Sequence, residues 1–199
     1  MTRPSSALFL DRDGVINVDR GYVHRVEDFE FVLGIFDLAR FAVSDLGWRL
    51  IVTTNQAGIA RGYYDEAAFL ALTEWMCERF RRENAPIAKV YHCPYHPEEG
   101  IGRYRADHDW RKPKPGMILQ AAADFGLDLS ASALIGDKMS DIEAAAAAGV
   151  PLRLRLDPNE VPVPGPGHLV VRDLAAALSV LRQKCLVGGA PADGAKVSF

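Results

Sequence analysis

The chain has 199 residues, of which 49% are hydrophobic and 25% charged, so it can bury one sizeable core and is short for two. Its formal net charge is -3, which excludes the overall positive field that would hold DNA, RNA or a membrane surface. We expect one domain over residues 1–187 that binds a small molecule through a few local basic groups.

The first segment, "MTRPSSALFLDRDG", passes from one arginine straight into a strand-like run that contains charges. Neither a signal peptide nor a membrane span has this pattern. The cysteines, Cys77, Cys93 and Cys185, are odd in number and lack the spacing of a disulfide framework, which fits a reducing compartment. We therefore expect a cytoplasmic protein and, since no extended interface is indicated, a monomer.

Short apolar runs alternate with helical patterns along the chain. The apolar runs fall at residues 7–10, 49–54, 88–93, 133–136, 152–156 and 168–171. The helical patterns fall at residues 34–46, 65–84, 115–126, 140–148 and 172–183. This alternation predicts an α/β fold with a mainly parallel sheet. Pro115 and Gly116 mark one helix start, and Gly149 caps another helix after an alanine run that would pack closely on the sheet.

Two segments rich in proline and glycine have little to bury. "DPNEVPVPGPGH" (157–168) predicts a loop that leads to the last strand. The tail "GGAPADGAKVSF" (188–199) predicts disorder.

The first strand ends in "FLDRDGVIN", which places Asp11 and Asp13 beyond its carboxyl end, where open α/β sheets bind ligands. One carboxylate there can attack an electrophile, the other can transfer a proton, and both can help to hold a hard cation. An ordinary acidic turn explains the pair about equally well when it is taken alone.

Two further segments can bind phosphate. "VTTNQAGIARG" places Thr54 at a strand end beside a turn with free N–H groups, although a capping turn explains it better when it is taken alone. In "RKPKPGM", Lys112 suits a phosphoryl group in transfer and Arg111 suits a second, bound phosphate. A solvated basic turn is an equal alternative for that pair.

The segment "ALIGDKMSDIEAAAAAG" places Asp137 at another strand end, where it is a candidate oxygen ligand for Mg²⁺. Asp141 would either support the ligands or begin the next helix, where the macrodipole favours an acid. We favour a mixture of the two roles.

The order acid pair, threonine, lysine, acid resembles the haloacid dehalogenase superfamily of aspartate-based phosphatases from residue 7 to about 172. The resemblance implies a three-layer Rossmann-like core, Mg²⁺ and a phosphoaspartate intermediate. It also implies that Asp11 is the nucleophile, Asp13 the general acid and base, and Thr54 and Lys112 the phosphate-binding groups. Mg²⁺ would bind the side chains of Asp11 and Asp137 and the backbone carbonyl of Asp13.

Longer strings, including "FLDRDGVINVDRGYVHRVEDFEF", "TNQAGIARGYYDEAAFLALTEWM" and "CPYHP", are similar to the D-glycero-D-manno-heptose 1,7-bisphosphate 7-phosphatases. This resemblance implies removal of the C7 phosphate in nucleotide-activated heptose biosynthesis, which serves either an ADP-activated route to lipopolysaccharide biosynthesis or a GDP-activated glycan route. The implied substrate contacts are Asp19, Tyr22, Asn55, Gln56, Arg111 and Lys138, with Arg111 on the retained phosphate. The related histidinol-phosphate phosphatases are the alternative, and "GYVHRVEDFEF" favours the heptose enzymes.

The intervals between the motifs are too short for a large cap domain, so we expect loops to recognise the substrate, chiefly residues 92–110. That family typically carries zinc in this loop, with Cys-x-His at its start and Cys-x-Cys before the Arg-Lys pair. Here Tyr95 replaces the histidine, and His108 and Trp110 replace the two later thiolates. The remaining ligands are Cys93, His96 and His108, with His92 or Asp109 as a fourth. We predict no structural zinc, because such a site needs four good ligands.

Two rival functions come from other classes. A phosphatase that processes nucleic-acid ends can share similar strings, but the acidic balance opposes it. A non-catalytic sugar-phosphate-binding module is opposed by the complete set of catalytic groups.

Overall fold

The chain was analysed as a computed structural model, which describes residues 5–159, 164–165 and 167–186. The predicted disorder of the tail at 188–199 lies outside the described residues. Within them, the strands form one sheet in the order β3-β2-β1-β4-β5-β7-β6. The strands are β1 (Ala7–Leu10), β2 (Arg49–Asn55), β3 (Ile87–Cys93), β4 (Ala133–Gly136), β5 (Leu152–Leu156), β6 (Pro164–Gly165) and β7 (His168–Val171). All neighbouring pairs are parallel except β6 with β7.

Helices cover both faces of the sheet. They are α1 (Ile35–Arg40), which continues as a π-helical turn (Phe41–Asp45), α2 (Ala57–Ala60), α3 (Glu66–Arg82), α4 (Gly116–Phe125), α5 (Met139–Ala147) and α6 (Leu174–Leu186). One core cluster joins the sheet to α1, α3 and α6, and a second joins it to α4 and α5. The predicted three-layer α/β architecture with a mainly parallel sheet is therefore confirmed. No helix among the described residues is long and apolar enough to cross a membrane.

Strand β1 lies inside the sheet, between β2 and β4, and is buried along its whole length. Leu8 and Leu10 point into the first cluster, and Ala7 and Phe9 point into the second. Because both faces of the strand are covered, all of its side chains are apolar. The first polar side chain is that of Asp11, directly after the end of the strand. The sheet therefore presents this carboxylate at its carboxyl edge.

The alanine helix α5 ends in the predicted glycine cap. Gly149 has φ 83°, its N–H donates to the carbonyl of Ala146 at 3.0 Å, and the N–H of Val150 donates to Ala145 at 2.9 Å. Ala144 and Ala145 are fully buried. The small side chains let α5 lie close to the sheet, as predicted, and this closeness brings the first turn of α5 to the strand ends.

The sequence patterns predict neither α2 nor β6. For the other helices and strands, the predicted ends lie within a few residues of the observed ends. One helical turn is too short to show a 3.6-residue period, and β6 consists of two residues inside the segment predicted as a loop. Between β1 and α1, and between β3 and α4, the chain forms one 3-10 turn each, Val26–Asp28 and Gly102–Tyr104. Loops, rather than an inserted domain, therefore surround the carboxyl edge of the sheet.

Candidate active site

A cavity of about 520 Å³ opens at the carboxyl ends of β1 and β2. Asp11 follows β1, Thr54 and Asn55 end β2, and Lys112 reaches the cavity from the loop before α4. The sequence-predicted residues that line it are Asp11, Asp13, Asp19, Tyr22, Thr54, Asn55, Gln56, Arg111, Lys112 and Lys138. Asp137, after β4, lies beside Asp11 rather than on the cavity wall. The structure thus brings together the residues predicted from the sequence as catalytic, substrate-binding or Mg²⁺-binding groups.

Lys112 is buried with its ammonium group between two carboxylates. Its Nζ lies 3.0 Å from Oδ1 of Asp11 and 2.5 Å from Oδ1 of Asp141, and it donates a hydrogen bond to the carbonyl oxygen of Thr53 at 2.8 Å. Burial alone would lower the pKa of Lys112, but the two carboxylates raise it above its usual value. Lys112 is therefore a fixed positive charge at the base of the cavity.

Asp11, Asp137 and Asp141 form an acidic cluster in which one carboxylate oxygen of each lies within 4.8 Å of the others. Burial raises the pKa of Asp11 to about 7, against the opposing effect of Lys112, and burial raises the pKa of Asp137 to about 6. Three carboxylates this close repel one another, and Lys112 supplies only one positive charge.

The cluster fits a hard divalent cation. Oδ1 of Asp137 is buried and has no hydrogen-bond partner, although a buried carboxylate oxygen normally has one. A Cβ at Gly14 would lie 2.4 Å from Oδ2 of Asp137, so the absence of a side chain at Gly14 lets this carboxylate approach. Carboxylate and carbonyl oxygens are the ligands that Mg²⁺ and Ca²⁺ prefer.

Asp141 lies in the first turn of α5 and also contacts Lys112. Its Oδ2 accepts the backbone N–H of Lys138 at 3.0 Å, which caps the start of α5, and its Oδ1 pairs with Lys112. A Cβ at Gly136 would collide with the Asp141 side chain, at 2.3 Å from its Cβ. Gly136 therefore allows the helix start to lie against the strand end.

The carboxylate of Asp13 is held on both oxygens. Oδ1 accepts from Nη2 of Arg12 at 3.0 Å and from Nδ2 of Asn17 at 3.1 Å. Oδ2 accepts from Nε of Arg12 and from Nε2 of Gln56, both at 3.1 Å. Arg12 is itself buried, and its Nη2 also donates to the carbonyl of Val23 at 2.6 Å.

The two amides that follow Thr54 have partners within the protein. Nδ2 of Asn55 donates to the carbonyl of Lys112, and Oδ1 of Asn55 accepts the N–H of Lys112, both at 3.1 Å. Gln56 is 1% exposed and its Nε2 donates to Thr54 Oγ1 at 2.8 Å as well as to Asp13. These contacts favour positioning over direct substrate contact for both amides.

The mouth of the cavity carries several basic groups. Lys138 lies 3.1 Å from Oδ2 of Asp19, whose Oδ1 accepts the N–H of Gly21 at 2.9 Å. Nη1 of Arg111 donates to the carbonyl of Tyr95 at 3.1 Å. Arg61 also lines the cavity and forms an ion pair with Glu99. The concentration of cations at the mouth suits an anionic ligand larger than a single phosphate.

Some lining residues were not singled out from the sequence. They are Arg61, Tyr64 and Ser140, together with Arg12, which lies behind Asp13. The sequence offers a signal for Arg12, because it lies between two acids at the end of a buried strand and its side chain needs a partner there. Arg61 and Tyr64 lie in "GIARGYY", where no residue spacing distinguishes them from an ordinary surface helix start.

Residues 92–110, which we call the Cys/His loop, are held in place by packing and hydrogen bonds. The ring of His108 stacks on Tyr95 at 4.6 Å with an interplanar angle of 9°, and its Nδ1 accepts the N–H of Trp110 at 3.0 Å. Nδ1 of His96 accepts the N–H of Glu99 at 3.0 Å, and the thiol of Cys93 lies 4.0 Å from the carbonyl of Tyr95. Within the described part of the chain, only the acidic cluster brings three such ligand atoms within 4.8 Å.

A family model matches part of the chain, and two curated proteins of similar sequence are named for the same phosphatase activity. The family model described as HAD-hydrolase-like matches residues 109–156. A D-glycero-alpha-D-manno-heptose-1,7-bisphosphate 7-phosphatase of Burkholderia mallei is 60% identical over 144 residues, which cover 72% of this chain and 76% of that protein. A D-glycero-beta-D-manno-heptose-1,7-bisphosphate 7-phosphatase of Vibrio cholerae is 49% identical over 150 residues, which cover 75% of this chain and 79% of that protein.

Solved structures agree with these relatives. A protein of Mesorhizobium loti described as a HAD-like phosphatase superposes with a TM-score of 0.83 at 33% identity and covers 95% of this chain and 90% of its own. The D,D-heptose 1,7-bisphosphate phosphatase of B. bronchiseptica, solved with magnesium and phosphate, superposes with a TM-score of 0.75 at 28% identity. That match covers 90% of this chain and 99% of the other.

Proposed function

Because the chain belongs to the D-glycero-D-manno-heptose 1,7-bisphosphate 7-phosphatases of the haloacid dehalogenase superfamily, we propose that it removes the C7 phosphate of such a bisphosphate through a phosphoaspartate on Asp11. The chain is a phosphoric monoester hydrolase. Its product would enter nucleotide-activated heptose biosynthesis. The observation that carries the mechanism is the buried contact of 3.0 Å between Asp11 and Lys112 at the base of a cavity whose mouth is cationic.

Asp11 attacks the phosphorus with its free oxygen. Oδ1 accepts the N–H of Arg12 at 2.7 Å and contacts Lys112, whereas no hydrogen bond within the described residues engages Oδ2. A phosphate monoester is a dianion that repels a carboxylate, so its charge must be neutralised before attack. Lys112 and Thr54 supply charge and a hydroxyl at the base of the cavity.

The side chains of Asp11 and Asp137 and the backbone carbonyl of Asp13 would hold Mg²⁺, and Asp141 lies close enough to support them. When bound, Mg²⁺ lowers the negative charge on the phosphoryl oxygens and offsets the repulsion among the carboxylates. The buried, unpartnered Oδ1 of Asp137 and the raised pKa of Asp11 support this assignment.

Asp13 carries the proton in both halves of the reaction. As the bond from Asp11 to phosphorus forms, the bond to the C7 oxygen breaks and that oxygen takes the proton of Asp13. Asp13 then takes a proton from the water that attacks the phosphoaspartate, which releases inorganic phosphate and the Asp11 carboxylate. Its position beside the cavity, two residues after Asp11, supports this role.

The retained C1 phosphate would lie at the mouth of the cavity on Arg111, with Lys138, Asp19 and Tyr22 around the sugar. A planar guanidinium can bind two oxygens of a phosphate at once. Asn55 and Gln56 would act indirectly, because their amides hold Lys112 and Asp13.

A phosphate-release panel tests the function. It compares the α and β heptose 1,7-bisphosphates, histidinol phosphate, fructose 1,6-bisphosphate and a 5′-phosphorylated oligonucleotide, each with Mg²⁺. We expect the highest kcat/KM for a heptose bisphosphate, and the 60% identity to the relative named for the α anomer supports the α form. Preference for histidinol phosphate or for the oligonucleotide would refute the proposal.

We also infer that the protein works as a cytoplasmic monomer without structural zinc. All three cysteines are free, and the thiol of Cys93 lies 4.0 Å from the carbonyl of Tyr95. His96 and His108 each use Nδ1 as a hydrogen-bond acceptor within the loop.

A further inference from the structure

A partly buried chain of hydrogen-bonded side chains runs from Asp13 through Gln56 to Tyr64. Nε2 of Gln56 donates to Oδ2 of Asp13 at 3.1 Å, and Oε1 of Gln56 accepts the hydroxyl of Tyr64 at 2.5 Å. Gln56 is 1% exposed, so water cannot replace either contact without opening the site.

The Gln56 amide is oriented by Asp13 and held in that orientation by Tyr64. A side-chain amide has a donor end and an acceptor end, and only its donor end can face a carboxylate favourably. The NH₂ group is therefore directed to Asp13 and to Thr54, and the Tyr64 hydroxyl donates to Oε1 at the other end. Without that hydroxyl, Oε1 of Gln56 loses its partner and the amide is held only at its donor end.

Tyr64 is itself fixed by its surroundings. A Cβ at Gly58 would lie 2.2 Å from Cε1 of Tyr64, so the ring occupies the space that a larger residue would fill. The ring of His24 stacks on Tyr64 at 4.8 Å with an interplanar angle of 7°. Burial raises the pKa of Tyr64 to about 12, so the hydroxyl stays protonated and remains a donor at neutral pH.

We propose that Tyr64 and Gln56 are positioning residues for the general acid, and that Gly58 provides the space that Tyr64 needs. Tyr64 acts through Gln56, and Gln56 holds Asp13 where it can protonate the leaving oxygen. This inference rests on the proposed function, because it assigns Asp13 the proton that the C7 oxygen receives as its bond to phosphorus breaks.

The leaving group separates this role from a merely structural one. An alcohol leaves as an unstable alkoxide unless it is protonated, whereas nitrophenolate leaves without a proton. A loss of acid positioning therefore lowers kcat/KM for a sugar phosphate much more than for p-nitrophenyl phosphate. General damage to the site would lower both alike.

The experiment measures kcat/KM of the full-length protein with Mg²⁺ on three esters: heptose 1,7-bisphosphate, phenyl phosphate and p-nitrophenyl phosphate. For Tyr64→Phe we expect a loss of about tenfold on the heptose ester, as for one lost buried hydrogen bond, and of less than about twofold on the nitrophenyl ester. Gln56→Leu should lose about 100-fold on the heptose ester. Gly58→Ala should follow Tyr64→Phe.

Tyr63→Phe is the matched control. Tyr63 is the residue before Tyr64, it is 55% exposed, and its hydroxyl is not one of the hydrogen-bonded groups that link Asp13, Gln56 and Tyr64. It should change none of the three rates. In an Asp13→Asn background, Tyr64→Phe should lower kcat/KM no further on any ester, because Tyr64 acts through Asp13. Equal losses on all esters, no loss, or additive losses in that background would overturn the inference.

Failure of the proposed function gives a different result. Wild-type protein that does not cleave heptose bisphosphate refutes the function. Phenyl phosphate and p-nitrophenyl phosphate contain no sugar, so the test on them does not depend on which sugar is the natural substrate. The ratio of their kcat/KM values in Tyr64→Phe still decides whether Tyr64 and Gln56 position the acid.

Discussion

Nζ of Lys112 lies 3.0 Å from Oδ1 of Asp11, and both side chains are almost fully buried. The loop that carries Lys112 is fixed by the side chain of Asn55 at the end of the neighbouring strand. A single lysine faces three carboxylates, so the protein alone leaves this site with excess negative charge. Burial raises the pKa of Asp11 despite the lysine contact, and the neighbouring carboxylates raise it further.

Asp11→Asn should abolish Mg²⁺-dependent phosphate release, because an amide oxygen cannot form the acyl phosphate. The same change removes one of three crowded carboxylates, so the free energy of unfolding of the metal-free protein should not fall. Phosphate release and thermal unfolding, both with and without Mg²⁺, test the two statements. Substantial residual turnover would exclude a phosphoaspartate on Asp11.

Lys112→Met should lower kcat/KM by at least about 100-fold and destabilise the metal-free protein by about 3 kcal/mol near pH 8, above the raised pKa of Asp11. The loss arises because removing one partner of a buried pair leaves unpaired charge. Lys89→Met is the control, since Lys89 pairs with Asp124 at a half-exposed site far from the cavity. A destabilisation of Lys112→Met no larger than that of Lys89→Met would contradict the prediction.

Mg²⁺ affinity should fall as the pH falls below about 7. In the metal-free protein, Asp11 and Asp137 have pKa values raised to about 7 and about 6, so protons occupy them at lower pH. Mg²⁺ binds the carboxylate forms and must displace these protons, whereas near pH 8 both groups are already ionised. Calorimetric titration in two buffers of different ionisation enthalpy should show proton release near pH 6 and none near pH 8. An equal apparent Kd at both pH values would contradict this expectation.

Gly14→Ala should disturb the metal site, because the new Cβ would lie 2.4 Å from Oδ2 of Asp137. We expect at least about a tenfold loss of Mg²⁺ affinity. Gly47→Ala is the matched control, since Gly47 also has a positive φ but has nothing within 4 Å of its Cβ position. Both variants should lose about 1 kcal/mol of stability from backbone strain, and only Gly14→Ala should lose affinity. Equal Mg²⁺ affinities in the two variants would show that Asp137 can move aside.

The sequence predicts the sheet and the positions of the catalytic candidates because both depend on local patterns. A buried central strand must be apolar throughout, so the first acid after "ALFL" necessarily lies at its end, and the same holds for Asp137 after "ALIG". The Rossmann-like core that the superfamily resemblance implies is confirmed, and the observed strand order β3-β2-β1-β4 brings these ends together.

Contacts that depend on how segments pack in three dimensions could not be predicted in this way. The pairing of Asn55 with the Lys112 backbone depends on how the loop before α4 meets the end of β2, and the pairing of Tyr64 with Gln56 depends on how the chain turns through α2. The family resemblance implies that Asn55 and Gln56 contact substrate, but it does not show whether an amide already has a protein partner. Asp141 shows the same limit, since its burial against Lys112 depends on α5 lying close to β4.

The Cys/His loop should carry no zinc. Purified protein should contain far less than one zinc per chain by elemental analysis, and a chelator should leave its melting temperature and activity unchanged. The triple variant Tyr95→His, His108→Cys, Trp110→Cys restores the ligand types of the family and should bind about one zinc, which controls for detection. Stoichiometric zinc in the wild type, or a loss of folding that zinc alone reverses, would show that Cys93, His96 and His108 form a site.

Arg111 should determine the preference for a bisphosphate. Its guanidinium lies at the cavity mouth, with Nη1 on the Tyr95 carbonyl, and can bind a second phosphate through charge-assisted hydrogen bonds. Arg111→Ala should raise KM for heptose 1,7-bisphosphate by about 10- to 100-fold, with little change in KM for heptose 7-phosphate, which lacks the second phosphate. Arg103→Ala is the control, because Arg103 lies 76% exposed on the same loop and pairs with Glu66 instead. If Arg111→Ala raised KM for both esters alike, Arg111 would bind the transferred phosphate or the sugar, and the C1 phosphate would have to be held by Arg61 or Lys138.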